Sequence, residues 1–250
     1  MARAGPWAGG IAAAIVAAAA WVSVSAVPLS ANTGVSAPFT WQGFTWCPTY
    51  QGSVGCDNVQ QFNDSSSSFY PSQVSKTAGS NYISLKMNST ATQSGAINTQ
   101  LYETWNAPAT LSEQINLPCD SSGRIENWPA FWLVTTGSWP AGGEIDIMEG
   151  LNGYAAWHYH YLDSSGAKSS AGGIASRFSG CGTHAYTVNW TTAAITFYYD
   201  GKQVGRVTPS QIGVPIASGP MYVINDYAAS SAYGGPTAGG VNMEVLKFKP

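Results

Sequence analysis

The chain contains few charged residues and few basic ones in particular. Only 9% of its 250 residues are charged, Lys and Arg together number 10, and the formal net charge is −3. Proteins that bind nucleic acids present clusters of basic side chains to the phosphates. No such cluster stands out along this sequence, so its composition argues against a nucleic-acid partner.

Long helical patterns are also lacking. The sequence has no internal repeat, no heptad pattern and no long amphipathic segment, whereas it contains 28 Gly, 14 Pro and 12% aromatic residues. Many turn-forming residues together with many aromatics are typical of short strands joined by turns. The length suits one all-β domain, which we expect over residues 32–250.

The N-terminal segment resembles a targeting signal. Arg3 is followed by an apolar, Ala-rich run over residues 10–24, and small residues precede possible cleavage points after Ala26 or Ala31. An uncleaved membrane anchor is the alternative, but the run is short and no basic cluster follows it. We therefore expect residues 1–31 to be a signal peptide with a short leader. The mature protein would then be secreted and free of the membrane.

Cysteines are scarce, and their number is even. The four are Cys47, Cys56, Cys119 and Cys181, which allow three disulfide pairings in an oxidising compartment. Pairing of Cys47 with Cys56 and of Cys119 with Cys181 is favoured, because the first bond closes a short loop rich in Pro and Gly. The spacing does not match a zinc finger, so a structural metal is the weaker interpretation.

Three carboxylates lie within six residues of the segment Gly142–Gly150. In a regular strand, Glu144 and Asp146 share one face and Glu149 points to the other. One extra residue at Ile147-Met148, with Met148 as the added one, would form a β-bulge and return Glu149 to the acidic face. Clustered like charges disfavour ionisation, so a purely structural strand gains nothing from them. A solvated acidic edge strand and a metal-binding loop are the alternatives.

The spacing of these carboxylates fits glycoside hydrolysis. With the bulge, the Glu144 and Glu149 carboxyls are expected about 5–6 Å apart, close to the separation in retaining glycosidases. Asp146 lies between them and can hold a proton or a hydrogen bond on either neighbour.

This segment resembles the bulged Glu-x-Asp-x-x-Glu strand of glycoside hydrolase family 16. Segment 128–134 resembles the family's strand just upstream of the acidic one, and segments 184–202 and 221–225 resemble stretches that follow it. Segment 243–248 alternates as a closing strand, so the resemblance runs from about residue 41 to residue 250. It implies a β-jelly-roll sandwich of two curved antiparallel sheets, similar to concanavalin A. It also implies that Glu144 is the nucleophile, Asp146 the assisting residue and Glu149 the acid/base. In that role, Glu149 is expected to have a raised pKa.

The same resemblance suggests four substrate-binding residues. Trp128 and Trp132 share one face by strand alternation and would stack on sugar rings, although core packing is the alternative for each. His160 would lie near the nucleophile, with His158 as the alternative, and Asn225 would face the cleft. A His-x-His pair can also bind metal, but the sequence offers no clear third ligand.

The resemblance implies a secreted, endo-acting, retaining β-glycosidase acting on a neutral polysaccharide. A β-1,3- or β-1,3-1,4-glucan is favoured, because a sulfated chain would require more Lys and Arg in the groove. We expect a monomer without a cofactor or a catalytic metal, and a structural calcium ion is left open. An agarase- or carrageenase-type galactan hydrolase, a transglycosylase and a non-catalytic lectin are the alternatives.

Overall fold

The computed structural model describes residues 37–49, 65–76 and 81–250. The predicted signal peptide and leader lie outside these ranges, as does Cys56 of the predicted Cys47–Cys56 bond. The described residues contain one short 3-10 helix, Pro71–Gln73, and one short α-helix, α1, Pro209–Ile212. No helix among them is long and apolar enough to cross a membrane.

Strands make up most of the regular structure. In chain order they are β1 (Phe39–Trp41), β2 (Phe44–Pro48), β3 (Ser68–Phe69), β4 (Val74–Ser75), β5 (Ile83–Lys86), β6 (Gln93–Ser94), β7 (Ala96–Asn98), β8 (Ala109–Leu117), β9 (Trp128–Thr135), β10 (Glu144–Leu151), β11 (Tyr154–Leu162), β12 (Lys168–Ile174), β13 (Gly182–Trp190), β14 (Ile195–Tyr199), β15 (Lys202–Val207), β16 (Met221–Ala228) and β17 (Asn242–Lys249).

Two antiparallel sheets contain all but two of these strands. The first, called the site sheet below, has the order β1-β2-β7-β16-β9-β10-β11-β12, and the second has the order β15-β14-β13-β8-β17-β5-β4. Strands β3 and β6 form a short parallel pair. Because consecutive strands such as β7, β8 and β9 alternate between the sheets, the chain crosses repeatedly from one layer to the other.

The core lies between the two sheets. Ile145, Ile147 and Met148 of β10 are completely buried in the same apolar cluster as Tyr186 and Phe197 of the second sheet. Burial of these side chains by both layers provides the main stabilisation expected of a sandwich. The predicted all-β class is confirmed.

Two local predictions are also confirmed. Asp200 and Gly201 form the two-residue turn between β14 and β15, and both have positive φ angles, 48° and 73°. Such turns match the twist of the strands that they join. Cys119 and Cys181 form a disulfide bond across 62 residues of sequence, joining the segment after β8 to the start of β13.

Candidate active site

The acidic strand β10 lies between β9 and β11, and a bulge interrupts its pairing with both. Asp146 is paired with Trp132 of β9 and His158 of β11, whereas Glu149 is paired with Ala130 and Ala156. Between these two pairs, β10 has two residues, Ile147 and Met148, where β11 has only Trp157. The predicted β-bulge is therefore confirmed.

The position of the extra residue differs from the prediction. Met148 is paired with Phe131 of β9, whereas Ile147 has no register partner on β9 or β11. Ile147 is therefore the residue added relative to β9, and the assignment of that role to Met148 is wrong. The two positions cannot be distinguished by residue type, because both side chains are apolar and fully buried.

The bulge brings all three carboxyls to the outer face of the site sheet, called the site face below. The side chains of Glu144, Asp146 and Glu149 are only 16%, 7% and 12% exposed, respectively. Gly143 precedes them with a φ of +84°, and a Cβ at this position would lie 2.7 Å from Cε of Met221. This glycine lets the backbone enter β10 in the left-handed conformation.

Two histidines on β11 contact the carboxyls. Nε2 of His160 lies 3.1 Å from Oδ2 of Asp146 and 3.7 Å from Oε1 of Glu144. Nδ1 of His158 lies 2.9 Å from Oε2 of Glu149. His160 thus lies beside Glu144, as the sequence predicted, and His158 contacts the other glutamate.

The His158 ring occupies space left by a glycine on the edge strand β12. A Cβ on Gly172 would lie only 2.0 Å from Cδ2 of His158, so no larger residue fits there without moving the ring. Gly173, the next residue, has no atom within 4 Å of such a Cβ. Gly172 therefore contributes to the position of His158 without touching a carboxyl.

Both predicted tryptophans lie on the site face. Trp128 donates a hydrogen bond from Nε1 to Oε1 of Glu149, at 3.2 Å. Trp132 donates from Nε1 to Oδ2 of Asp226, at 2.8 Å, and is only 7% exposed. Trp128, which is less buried, offers more ring surface to a sugar than Trp132. Sugar contact by either remains a prediction.

Asn225 does not face the site. Its side chain is fully buried between the sheets, where Nδ2 donates a hydrogen bond to Oε1 of Glu113 on β8, at 2.9 Å. The prediction that Asn225 contacts substrate is wrong. The neighbouring Asp226 points to the site face instead, and sequence reasoning missed it. Strand β16 is buried along its whole length, so hydrophobic alternation gave no signal for its orientation.

Asp226 is a fourth carboxyl close to the site. Burial, with additional repulsion from Glu149 and Asp146, raises its pKa to about 7, although its hydrogen bonds from Trp132 and from the Ala228 amide oppose this change. A neutral Asp226 would reduce the crowding of negative charge on the site face.

The electrostatic environments of the two glutamates differ. Burial and the negative charge of Asp146 raise the pKa of Glu144 to about 8, against the opposing effect of His160. Burial would also raise the pKa of Glu149, but the hydrogen bond from His158 and the positive charge on that ring outweigh burial and lower it. The expected raised pKa of Glu149 is therefore wrong for the free protein.

The two histidines bind protons more tightly than usual. Burial lowers the pKa of His160, but its 3.1 Å contact with the Asp146 carboxyl and the surrounding negative charges outweigh burial and raise the pKa to about 10. The same balance raises the pKa of His158, whose main partner is Glu149. At neutral pH His160 is therefore protonated, and the raised pKa of His158 favours its protonated form.

Two overlapping groups of these side chains have the composition of a metal site. One consists of Glu144, Asp146 and His160, and the other of Asp146, Glu149 and His158, with ligand atoms within 4.8 Å of one another in each. Metal binding requires neutral imidazoles. The raised pKa values of both histidines oppose it, because protons compete for the same nitrogen atoms.

Comparison with known families gives one match over most of the chain. The sequence model for glycosyl hydrolases family 16 matches residues 62–232, which include β10 and the whole acidic cluster. Among curated proteins, the chain is 31% identical over 123 residues to the endo-1,3-1,4-beta-glycanase EglC of Rhizobium meliloti (strain 1021). That alignment covers 47% of this chain and 25% of EglC, so the chain spans about a quarter of this relative's length.

Solved structures share the same architecture. A Bacteroides ovatus mixed linkage glucan GH16 protein, in complex with a G4G4G3G product, has a TM-score of 0.62 at 19% identity, covering 82% of this chain and 94% of that one. The endo-beta-1,3-glucanase from Pyrococcus furiosus has a TM-score of 0.60 at 18% identity, covering 84% and 96%. At these identities the likeness concerns the fold, and it confirms the predicted jelly-roll sandwich.

Proposed function

Because the chain belongs to glycoside hydrolase family 16, we propose that it is a secreted, endo-acting, retaining hydrolase of β-1,3- or β-1,3-1,4-glucan. One observation carries this proposal. The bulge in β10 aligns three carboxyls on the site face, with Glu144 and Glu149 on either side of Asp146. Retaining glycosidases require two such carboxyls at short separation, one as nucleophile and one as acid/base.

In the proposed reaction, the ionised Glu144 carboxylate attacks the anomeric carbon, and Glu149 donates a proton to the departing glycosidic oxygen. The C–O bond breaks, and a covalent glycosyl-enzyme forms on Glu144. Water then attacks the same carbon while Glu149, now ionised, accepts a proton from it. Glu144 leaves, and the product keeps the β configuration.

The pKa shifts suggest where the catalytic proton is stored. In the free protein they favour an ionised Glu149 and a protonated His158, joined by the 2.9 Å contact between Nδ1 and Oε2. We expect this proton to pass to Glu149 as the leaving oxygen develops negative charge. Glu144 must lose its own proton before it can attack, and its raised pKa makes this step dependent on pH.

A neutral polysaccharide suits the scarcity of basic side chains. A sulfated chain would require Lys and Arg near the reacting bond to bind its sulfates, and the sequence has only ten of these residues. Nζ of Lys168 lies 4.5 Å from the centroid of the Trp139 ring, at the Glu144 end of the site. Its ammonium group thus already makes a cation-π contact. The similarity to the Rhizobium endo-1,3-1,4-beta-glycanase and to the Pyrococcus endo-beta-1,3-glucanase favours β-1,3- and mixed β-1,3-1,4-glucans.

The N-terminal signal-like segment and the Cys119–Cys181 disulfide support secretion, because such bonds persist in oxidising compartments. We expect the mature protein to act as a monomer without a cofactor. A lectin would not require the acidic cluster, whereas a transglycosylase would use the same residues and differ only in which acceptor attacks the glycosyl-enzyme.

The test is to incubate the mature protein with laminarin, lichenan, agarose and carrageenan and to identify the released oligosaccharides. We expect internal cleavage of laminarin or lichenan, with reducing ends first formed in the β configuration by NMR. Release from agarose or carrageenan alone would assign the chain to galactans. Binding without release would indicate a lectin, and products longer than the substrate a transglycosylase.

A further inference from the structure

Tyr199, on strand β14 next to the edge strand β15 of the second sheet, reaches the bulge from the core. Its side chain is fully buried, and its hydroxyl lies 3.0 Å from the carbonyl oxygen of Ile147 and 2.7 Å from that of Ala156. Both acceptors belong to the site sheet, on β10 and β11 respectively. The hydroxyl therefore crosses the space between the sheets.

These two carbonyls lie where strand pairing is interrupted. Ile147 has no register partner on either neighbouring strand, and Ala156 is the residue of β11 that is paired with Glu149. Backbone polar groups that are buried require a hydrogen-bond partner. The Tyr199 hydroxyl supplies one donor, shared between the two carbonyls, and thereby links β10 to β11 across the bulge.

The hydroxyl is held firmly as a donor. Burial and the nearby Tyr186 and carboxyl groups raise the pKa of Tyr199 well above its usual value, so the proton is retained. The ring packs against Phe178, with centroids 5.0 Å apart, and nearly perpendicular to Tyr186, at 4.9 Å. These contacts leave the ring little freedom to move away from the bulge.

We propose that Tyr199 is a positioning residue that fixes the bulge and thereby the direction of the Glu149 carboxyl. It touches no reacting atom and acts from the opposite face of the sheet. The proposal rests on the proposed function, in which Glu149 is the acid/base. Displacements of about 1 Å in such a group can slow catalysis on the order of 100-fold.

The test compares two conservative variants, Tyr199→Phe and Tyr186→Phe. Tyr186 is the register partner of Tyr199 on the adjacent strand and is also fully buried, but its hydroxyl donates to the carbonyl of Gly180, at 3.5 Å, a residue outside β10 and β11. Each substitution removes one buried oxygen and keeps the aromatic ring. Circular dichroism and Tm establish that both variants are folded.

We expect Tyr199→Phe to lower kcat/KM on the glucan by roughly 10- to 100-fold, with little change in KM. The kcat/KM for a dinitrophenyl glycoside should fall much less, because this leaving group needs no proton from Glu149. Tyr186→Phe should match the wild type on both substrates. Amide hydrogen exchange over residues 144–151 should accelerate in Tyr199→Phe only.

Wild-type kcat/KM on the glucan in Tyr199→Phe, or equal losses on both substrates, would overturn the proposal. Equal losses in the two variants would also do so, because a general effect of removing a buried hydroxyl would then explain them. If the wild type cleaves no glucan, the proposed function fails, and hydrogen exchange then tests only the proposal that Tyr199 fixes the bulge. Faster exchange confined to Tyr199→Phe would support it, and unchanged exchange would refute it.

Discussion

Glu144 and Glu149 differ in the partners that surround them. Glu149 accepts hydrogen bonds from His158 and Trp128, whereas the nearest histidine nitrogen to Glu144 is 3.7 Å away. The partners of Glu149 suit a group that repeatedly gains and loses a proton, because His158 can hold that proton nearby. The position of Glu144 suits a nucleophile, whose carboxylate must remain free to attack.

These roles predict different kinetic effects. Glu144→Gln should abolish cleavage of polysaccharide in a folded protein, because the amide cannot form the glycosyl-enzyme. Glu149→Ala should slow cleavage of polysaccharide by roughly 100- to 10,000-fold, the usual contribution of a general acid, and affect activated aryl glycosides much less. Kinetics with both substrates measure this difference. Normal polysaccharide turnover in either variant contradicts the assignment.

The raised pKa of Glu144 predicts an activity that increases with pH. Glu144 must be ionised to attack, so kcat/KM for an aryl glycoside should rise as pH approaches the Glu144 pKa of about 8. The leaving group of an aryl glycoside needs no proton from a general acid, so the pH profile reports the ionisation of Glu144. A pH profile from 5 to 9 measures the effect, and a kcat/KM that is already constant from pH 5 would contradict it.

The edge strand β12 approaches β11 closely at Gly172, where an added Cβ would lie 2.0 Å from Cδ2 of His158 and 2.4 Å from the Trp157 carbonyl oxygen. Gly172→Ala would push the His158 ring away from Glu149. It should lower kcat/KM on polysaccharide by roughly 10- to 100-fold, because His158 would no longer hold the proton beside Glu149 or orient its carboxyl. Kinetics of the purified variant at neutral pH measure this loss.

Gly173→Ala is the matched control, since an added Cβ at that position meets no atom within 4 Å. It adds the same methyl group to the same strand and should leave kcat/KM within about twofold of the wild type, as is usual for a surface substitution. Equal activities of the two alanine variants would show that the position of His158 does not depend on Gly172.

Sequence patterns predicted β10 and its bulge because carboxyls are costly to bury and must share the outer face. They did not predict β12, whose segment Lys168–Ile174 consists mainly of small and polar residues. The family resemblance misplaced Asn225, and sequence patterns could not correct this because β16 is buried on both faces and shows no alternation. The bonds from Trp132 to Asp226 and from Tyr199 to the bulge join distant parts of the chain, which local patterns do not encode.

Among the described residues, Glu113 is a carboxyl enclosed by the sandwich that the reaction does not use. Glu113 is buried between the sheets, and burial raises its pKa well above the usual value although Asn225 donates a hydrogen bond to it. The folded protein therefore binds this proton more tightly than the unfolded chain. This contribution to stability is complete below the ordinary glutamate pKa and is lost as pH rises through the folded value.

Glu113→Gln should reduce this loss of stability at high pH. The amide oxygen can still accept the Asn225 hydrogen bond, but the side chain no longer ionises. Urea unfolding from pH 5 to 9 should show the variant gaining free energy of unfolding relative to the wild type as pH rises. Glu103→Gln, at a partly exposed position, is the control for removing one negative charge. Parallel curves for wild type and Glu113→Gln would contradict the prediction.

The central claim is that β10 carries a glucan-cleaving nucleophile at Glu144. The most direct test uses a dinitrophenyl glucan glycoside with fluorine at the 2-position of the reacting sugar, which slows release of the glycosyl-enzyme. After incubation, digestion and tandem mass spectrometry locate the attached sugar. The account predicts a covalent sugar on Glu144 and none in Glu144→Gln. A sugar on Glu149, or turnover of natural glucan with no trapped species, would contradict it.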